Sequence, residues 1–164
     1  MPRGIRIATA TDESAIVEFF TTMLEHHGDD EGPHAVRAVQ GLLDAIFTRG
    51  ADQPTVFAYD AGDGDLQGIA ALREPDEAGA AELITVQVFN TVQGRGIGQT
   101  LLRRAIDHVR QAGALSLHTE VLSADVRSRG FLRREGFVVE DVAGESAAPS
   151  AVVRYVMTWP APAA

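Results

Sequence analysis

The sequence predicts an α/β fold: an α+β mixed, mostly antiparallel sheet with helices, in the order β-α-α-β-β-β-α-β-α-β-β. Three observations predict it. Apolar residues recur at helical spacing over residues 16–24 and again over 36–47. Two strand-like runs flank the turn-rich stretch Asp60-Ala61-Gly62-Asp63-Gly64-Asp65. A dense apolar run, residues 83–89, leads into Gly94, Gly96 and Gly98 and then into an amphipathic helix.

In chain order, residues 5–8 read as a short strand. Thr11 and Asp12 offer helix-cap oxygens, and Glu13 suits a first turn. Ile16, Phe19, Phe20, Met23 and Leu24 then form one buried stripe, and Gly28 ends that helix. A second helix starts near Pro33, turns Val36, Val39, Leu42, Leu43, Ile46 and Phe47 inward, and stops by Gly50. Residues 55–59 and 67–73 pair as a hairpin. Residues 82–89 follow as a central strand whose apolar density predicts burial on both faces. A helix runs over 96–112 and closes at Gly113. The next strand, 115–122, is expected parallel to 82–89 through a right-handed crossover. A helix over 124–135, capped by Gly136, precedes strands at 137–141 and 151–158. The Pro/Ala tail, 160–164, is expected to fray.

Composition limits the function. The 164 residues suit a single domain, 1–164, with 45% hydrophobic residues and one full core. No run reaches the roughly 20 apolar residues that a membrane helix needs. The N-terminus lacks a hydrophobic signal segment, so a cytoplasmic protein with no membrane partner is expected. Without cysteine there is no disulfide, thiolate metal site or cysteine nucleophile. A net charge of −9 argues against nucleic acid and suits a cationic partner. All 14 basic residues are arginine, which rules out lysine chemistry.

The strand–glycine–helix run is the functional signal. Such a turn aims backbone N–H groups at an anion, and the helix dipole adds positive potential there. Glycine lets the backbone curl into a nest with no Cβ in the ligand's way. A Walker A loop would need Gly-Lys-Ser/Thr, which a lysine-free chain cannot supply. The dinucleotide pattern G-x-G-x-x-G fails at Gln99 and again at Leu101. Glu120 sits where a ribose-binding acid would, but only one strand–helix–strand unit is visible. A dinucleotide-binding protein is thus the weaker alternative.

The pattern Gln93-x-x-Gly96-x-Gly98, with Glu82 upstream and Arg134-Glu135-Gly136-Phe137 downstream, resembles the GNAT superfamily of acetyl-CoA-dependent N-acetyltransferases. The order of elements matches the GNAT fold along nearly the whole chain, and the motifs lie between residues 82 and 137. The resemblance implies acetyl-CoA as cofactor, a small-molecule amine as acceptor, and a homodimer as a common assembly. It implies that Gln93, Gly94, Arg95, Gly96, Ile97, Gly98 and Gln99 hold the pyrophosphate. The Thr100 hydroxyl either joins them or back-bonds to its own helix. Pantetheine would lie along Val86 and Val88, with the N–H near Val88 facing the thioester carbonyl as an oxyanion donor.

An alkylammonium, with pKa about 10, must lose a proton before it attacks. Glu82 stands where histone-type members carry their general base; the plainer alternative is a solvated strand-start glutamate. Glu120 is the second candidate. The family's helix pattern Asn-x-x-Ala-x-x-x-Tyr-x-x-x-Gly-Phe, aligned on Gly136-Phe137, falls here on Asp125, Ser128 and Leu132. Asp125 either keeps the asparagine's bond to pantetheine or caps the helix. Leu132 cannot protonate the departing thiolate; Tyr155, Ser128 and Tyr59 are the substitutes, and water suffices for a thiol of pKa about 8.5. An acyl-CoA-binding module without catalysis is therefore the alternative function. Glu25 to His34 concentrates histidines and acids but lacks a metal spacing such as H-E-x-x-H, so no metal site is expected. By default it is a solvated inter-helix loop. In relatives this loop lines the acceptor mouth, which would put His26, His27, Asp29, Asp30 and Glu31 against a cationic amine.

Overall fold

The computed structural model describes residues 4–26, 32–140 and 152–161. Its elements are β1 (Gly4–Ile7), α1 (Glu13–His26), α2 (Gly32–Ile46), β2 (Thr55–Asp60), β3 (Leu66–Arg73), β4 (Ala80–Val88), α3 (Ile97–Gln111), β5 (Ser116–Leu122), α4 (Val126–Arg134), β6 (Val138–Val139) and β7 (Val152–Thr158). Hydrogen-bonded neighbours run β1-β2-β3-β4-β5-β7-β6, a mixed sheet of seven strands among the described residues. The chain divides into two compact units. One holds Met1–Arg73 and Ile84–Ala105; the other holds Glu74–Leu83 and Ile106–Ala164.

In the first unit β1, β2 and β3 are antiparallel, with Ile7 opposite Phe57 and Thr55 opposite Leu72. Of the α1 stripe, Ile16, Phe19 and Phe20 are core residues, packed with Ile46 of α2 and with Ile69 and Ala71 of β3, while Met23 and Leu24 are half-buried. Each buried phenylalanine contributes about 2–3 kcal/mol of hydrophobic stabilisation. Phe19 also meets Phe89, just past β4, with ring centroids 4.4 Å apart.

A charged clamp sits beside this core. Arg6 donates to both carboxylate oxygens of Asp12 at 2.8 Å, and to Asp60 Oδ2 at 3.2 and 3.1 Å. Those hydrogen bonds from Arg6 hold Asp12 down at about 2. Asp60, wholly buried, is lowered first by the Gly62 N–H and then by Arg6. Asp12 raises Arg6 in return. The helix cap differs from the sequence expectation. Thr9, not Thr11 or Asp12, is the N-cap of the 3-10 turn Ala10–Asp12 that precedes α1. Asp12 reaches back to accept the Thr9 N–H at 2.8 Å, because its carboxylate can satisfy that donor while holding Arg6.

In the second unit β4 and β5 are parallel, as expected, through the pairs 80–116, 81–117 and 82–118. All of β5 pairs antiparallel with β7, from Ser116 opposite Thr158 to Leu122 opposite Val152. The Gly79 carbonyl accepts from the N–H groups of Leu115 and Ser116 at 2.7 and 3.2 Å and ties the two strand starts together. Val109, Leu117 and Tyr155 are fully buried, and Leu132 and Phe137 nearly so.

Two further expectations need correction. Val36 is 52% exposed, not inward. By spacing it lies on the α2 stripe, but a turn before Val39, Leu42 and Leu43, which do reach the core. Strand β4 is not equally buried on both faces: Ala81, Leu83 and Thr85 are buried, Ile84, Val86 and Val88 half-buried, and Glu82 exposed. Apolar density alone does not distinguish a covered face from a half-covered one.

Candidate active site

The turn after β4 is built from backbone constraints. A single 3-10 turn, Asn90–Val92, is anchored by buried Val92. Gln93 Nε2 then donates to the Val88 carbonyl at 3.0 Å and folds the turn back onto the strand end. Gly94 and Gly96 have φ of 80° and 78°. An L-residue in that left-handed region costs roughly 1–2 kcal/mol. A Cβ at either position would meet no atom within 4 Å, so this face of the turn is open.

Helix α3 begins directly afterwards. Its first turn closes with the Thr100 N–H on the Gly96 carbonyl at 2.9 Å, so the N–H groups of Ile97 and Gly98 precede the first helical bond. They point, with the dipole, toward the glycine turn, an arrangement that suits an anion. Thr100 Oγ1 donates to the Gly96 carbonyl at 2.7 Å, so of the two roles open to it this hydroxyl takes the back-bond. Arg95 is exposed and Gln99 half-buried.

What seats the helix start is Gly68 of β3, which the sequence reading did not single out. A Cβ there would lie 2.8 Å from Leu101 Cδ1 and 3.1 Å from Ile97 Cγ2. The available signal was a glycine inside an apolar strand, a mark of close approach.

The remaining candidates lie in the second unit. Glu82 is exposed to solvent near the start of β4 and is the ladder partner of His118. Glu120, also exposed, accepts Arg154 Nε and Nη2 at 3.2 and 3.0 Å from the facing position on β7. Asp125 takes the cap alternative: its Oδ1 accepts the Ser128 N–H at 3.0 Å. Leu132, at the position where the family pattern has tyrosine, is buried. The Tyr155 hydroxyl accepts Arg129 Nε at 3.1 Å, and Arg129 also donates to the Ser123 carbonyl at 2.9 Å. Sequence reasoning missed Arg129, Arg154 and His118, whose roles depend on cross-strand or strand–helix partners. Of the loop residues expected at the acceptor mouth, His26 ends α1, while His27, Asp29, Asp30 and Glu31 lie outside the described residues. No described helix is long and apolar enough to cross a membrane.

Comparison with known proteins gives a concordant picture. Residues 16–137 match the acetyltransferase (GNAT) family. The chain is 36% identical over 87 residues to streptothricin acetyltransferase of Streptomyces lavendulae, covering 53% of this chain and 46% of that protein. It is 33% identical over 81 residues to mycothiol acetyltransferase of Beutenbergia cavernae, covering 49% of this chain and 27% of that one. The match thus spans less than half the length of either relative. Among solved structures, PaiA N-acetyltransferase of Thermoplasma acidophilum in complex with coenzyme A superposes with a TM-score of 0.74 at 21% identity, over 97% of this chain and 100% of that one. A Bacillus subtilis acetyltransferase in complex with CoA gives 0.66 at 16% identity, over 97% and 100%. At such identities the likeness is one of fold.

Proposed function

The chain belongs to the acetyltransferase (GNAT) family, and we propose that it moves an acetyl group from acetyl-CoA to a primary amine by direct attack. The observation that carries this reading is the turn between β4 and α3, with its two left-handed glycines, its open face and the first N–H groups of α3. Those groups suit a diphosphate. Bound acetyl-CoA supplies an activated thioester; the chain's own residues do the rest. The N–H groups of Ile97 and Gly98 and the Arg95 guanidinium hold the diphosphate. Gln93 fixes the curvature of the turn by its bond to Val88. The β4 main chain at Val86 and Val88 would hold the pantetheine arm, and the Val88 N–H would supply a hydrogen bond to the thioester carbonyl oxygen. Glu82 removes the proton that keeps the amine from attacking.

The excess of acid over base, a net −9, supports a cationic acceptor. A reaction that draws on acetyl-CoA supports a cytoplasmic location. One observation favours a second reading, a CoA-binding module without catalysis: buried Leu132 replaces the tyrosine that the family pattern would supply. Calorimetry with acetyl-CoA and a thiol-release screen over amines test both. Binding with turnover supports transfer, binding without turnover on any amine supports the module, and no binding rejects both.

A further inference from the structure

His118 occupies the middle of the polar face of the second unit. It is the ladder partner of Glu82 on β4, and neighbouring strands lie about 4.8 Å apart, so both side chains leave the sheet on the same face. Each ring nitrogen has a polar neighbour, one within hydrogen-bond distance. Nε2 lies 3.0 Å from Ser116 Oγ, and Nδ1 lies 3.7 Å from Glu140 Oε2. Among the described residues that carboxylate oxygen is buried and has no hydrogen-bond partner, and Arg154 Nε also lies 3.7 Å from it. Among the described residues, the polar groups that share this face with the imidazole are Glu82 from β4, Ser116 and Glu120 from β5, Arg154 from β7, and Glu140 just after β6.

A carboxylate that has taken a proton from substrate must release it before the next turnover. Imidazole can accept at one nitrogen and donate at the other, and histidine ordinarily changes charge near neutrality. We propose that His118 is the proton-relay residue of the acceptor site, carrying onward the proton that Glu82 removes, with Ser116 and Glu140 holding its ring for the exchange. This rests on the acetyltransferase reading, in which Glu82 is the base. In becoming an amide, the ammonium nitrogen loses two protons. One ends on the CoA thiolate; the other passes from Glu82 to His118 and out to solvent. Glu140 favours a proton on Nδ1, which leaves Nε2 to accept. The proton arrives at Nε2 through the Ser116 hydroxyl or a water, giving imidazolium, and the Nδ1 proton departs on the Glu140 side.

The test combines a titration with kinetics. Nitrogen-15 NMR of the intact chain follows the His118 imidazole through its titration, in the native protein and in Glu82→Gln. Coupled groups shift the His118 midpoint when Glu82 loses its charge; an unmoved midpoint overturns the relay. On an amine acceptor, His118→Gln is expected to lower kcat by about tenfold or more with little change in KM. Added imidazole restores part of the rate to His118→Ala, a rescue that a structural role would not give. Native kcat in His118→Gln at every pH overturns the relay and leaves the acetyltransferase reading standing. A native chain that turns over no amine overturns that reading, and the relay with it.

Discussion

Gln93 and Val88 are joined across the glycine turn: the side-chain amide donates to the main-chain carbonyl at 3.0 Å. This bond fixes where the strand ends and how the turn starts. Gln93→Ala removes it and is expected to cost about 1 kcal/mol of stability. Because the turn then samples other curvatures, the Kd for CoA should rise by about tenfold. Thermal melts and calorimetry check the two effects separately.

Gly96→Ala acts through conformation, not packing. Its φ of 78° is unfavourable for alanine, while an added Cβ meets no atom within 4 Å. The expected loss is about 1–2 kcal/mol, or roughly 2–8 °C in Tm. Loss of CoA binding should exceed that of Gln93→Ala, since a methyl group then stands on the open face of the turn. Equal binding by the two variants would place the anion elsewhere.

Gly68→Ala tests how α3 is seated. The new methyl would lie 2.8 Å from Leu101 Cδ1, and Leu101 is fully buried and has little room to yield. Overpacking of this kind costs about 1–3 kcal/mol. Chemical denaturation should show that loss, together with weaker CoA binding as the helix start is pushed off β3.

The two glutamates raised as bases should separate kinetically. Glu120 is 54% exposed and already accepts two donors from Arg154 at one oxygen. Glu82→Gln is expected to lower kcat by about 100-fold, and Glu120→Gln by less than tenfold. Comparable losses would transfer the base role to Glu120.

How much of this was legible in the sequence depends on the range of the interaction. The turn and the helix after β4 could be read because glycine spacing and helical periodicity are local signals. The α1 stripe was legible for the same reason, and Phe19 and Phe20 are indeed core. Asp12 does supply a cap oxygen, but which N–H it takes, that of Thr9, and its bonds from Arg6 were not legible from local spacing. Whether Glu82 was solvated stayed open because apolar neighbours along a strand do not reveal whether its face is covered. His118 and Gly68 went unremarked since each acquires its meaning from another strand or helix: one from the ladder to Glu82, the other from Leu101.

The Arg6–Asp12 pair predicts the behaviour of the chain in acid. Asp12 falls from an ordinary 3.8 to about 2 in the folded chain, chiefly through its hydrogen bonds from Arg6. A carboxyl group that binds its proton less readily when folded stabilises the fold while it is ionised. That contribution is complete above about pH 4 and is lost as pH falls through about 2. Arg6 is 39% exposed, so solvent screening reduces the worth of the pair to about 1 kcal/mol. Asp12→Asn should therefore lower Tm by roughly 2–4 °C at neutral pH. The difference should shrink as the medium approaches pH 2, where the native carboxyl is itself protonated. A residual acid slope remains in the variant, because Asp60 is lowered too, by the Gly62 N–H and by Arg6. Melting curves of both chains across this range check it; a Tm difference that stays constant with pH would show that the Asp12 charge contributes no stability.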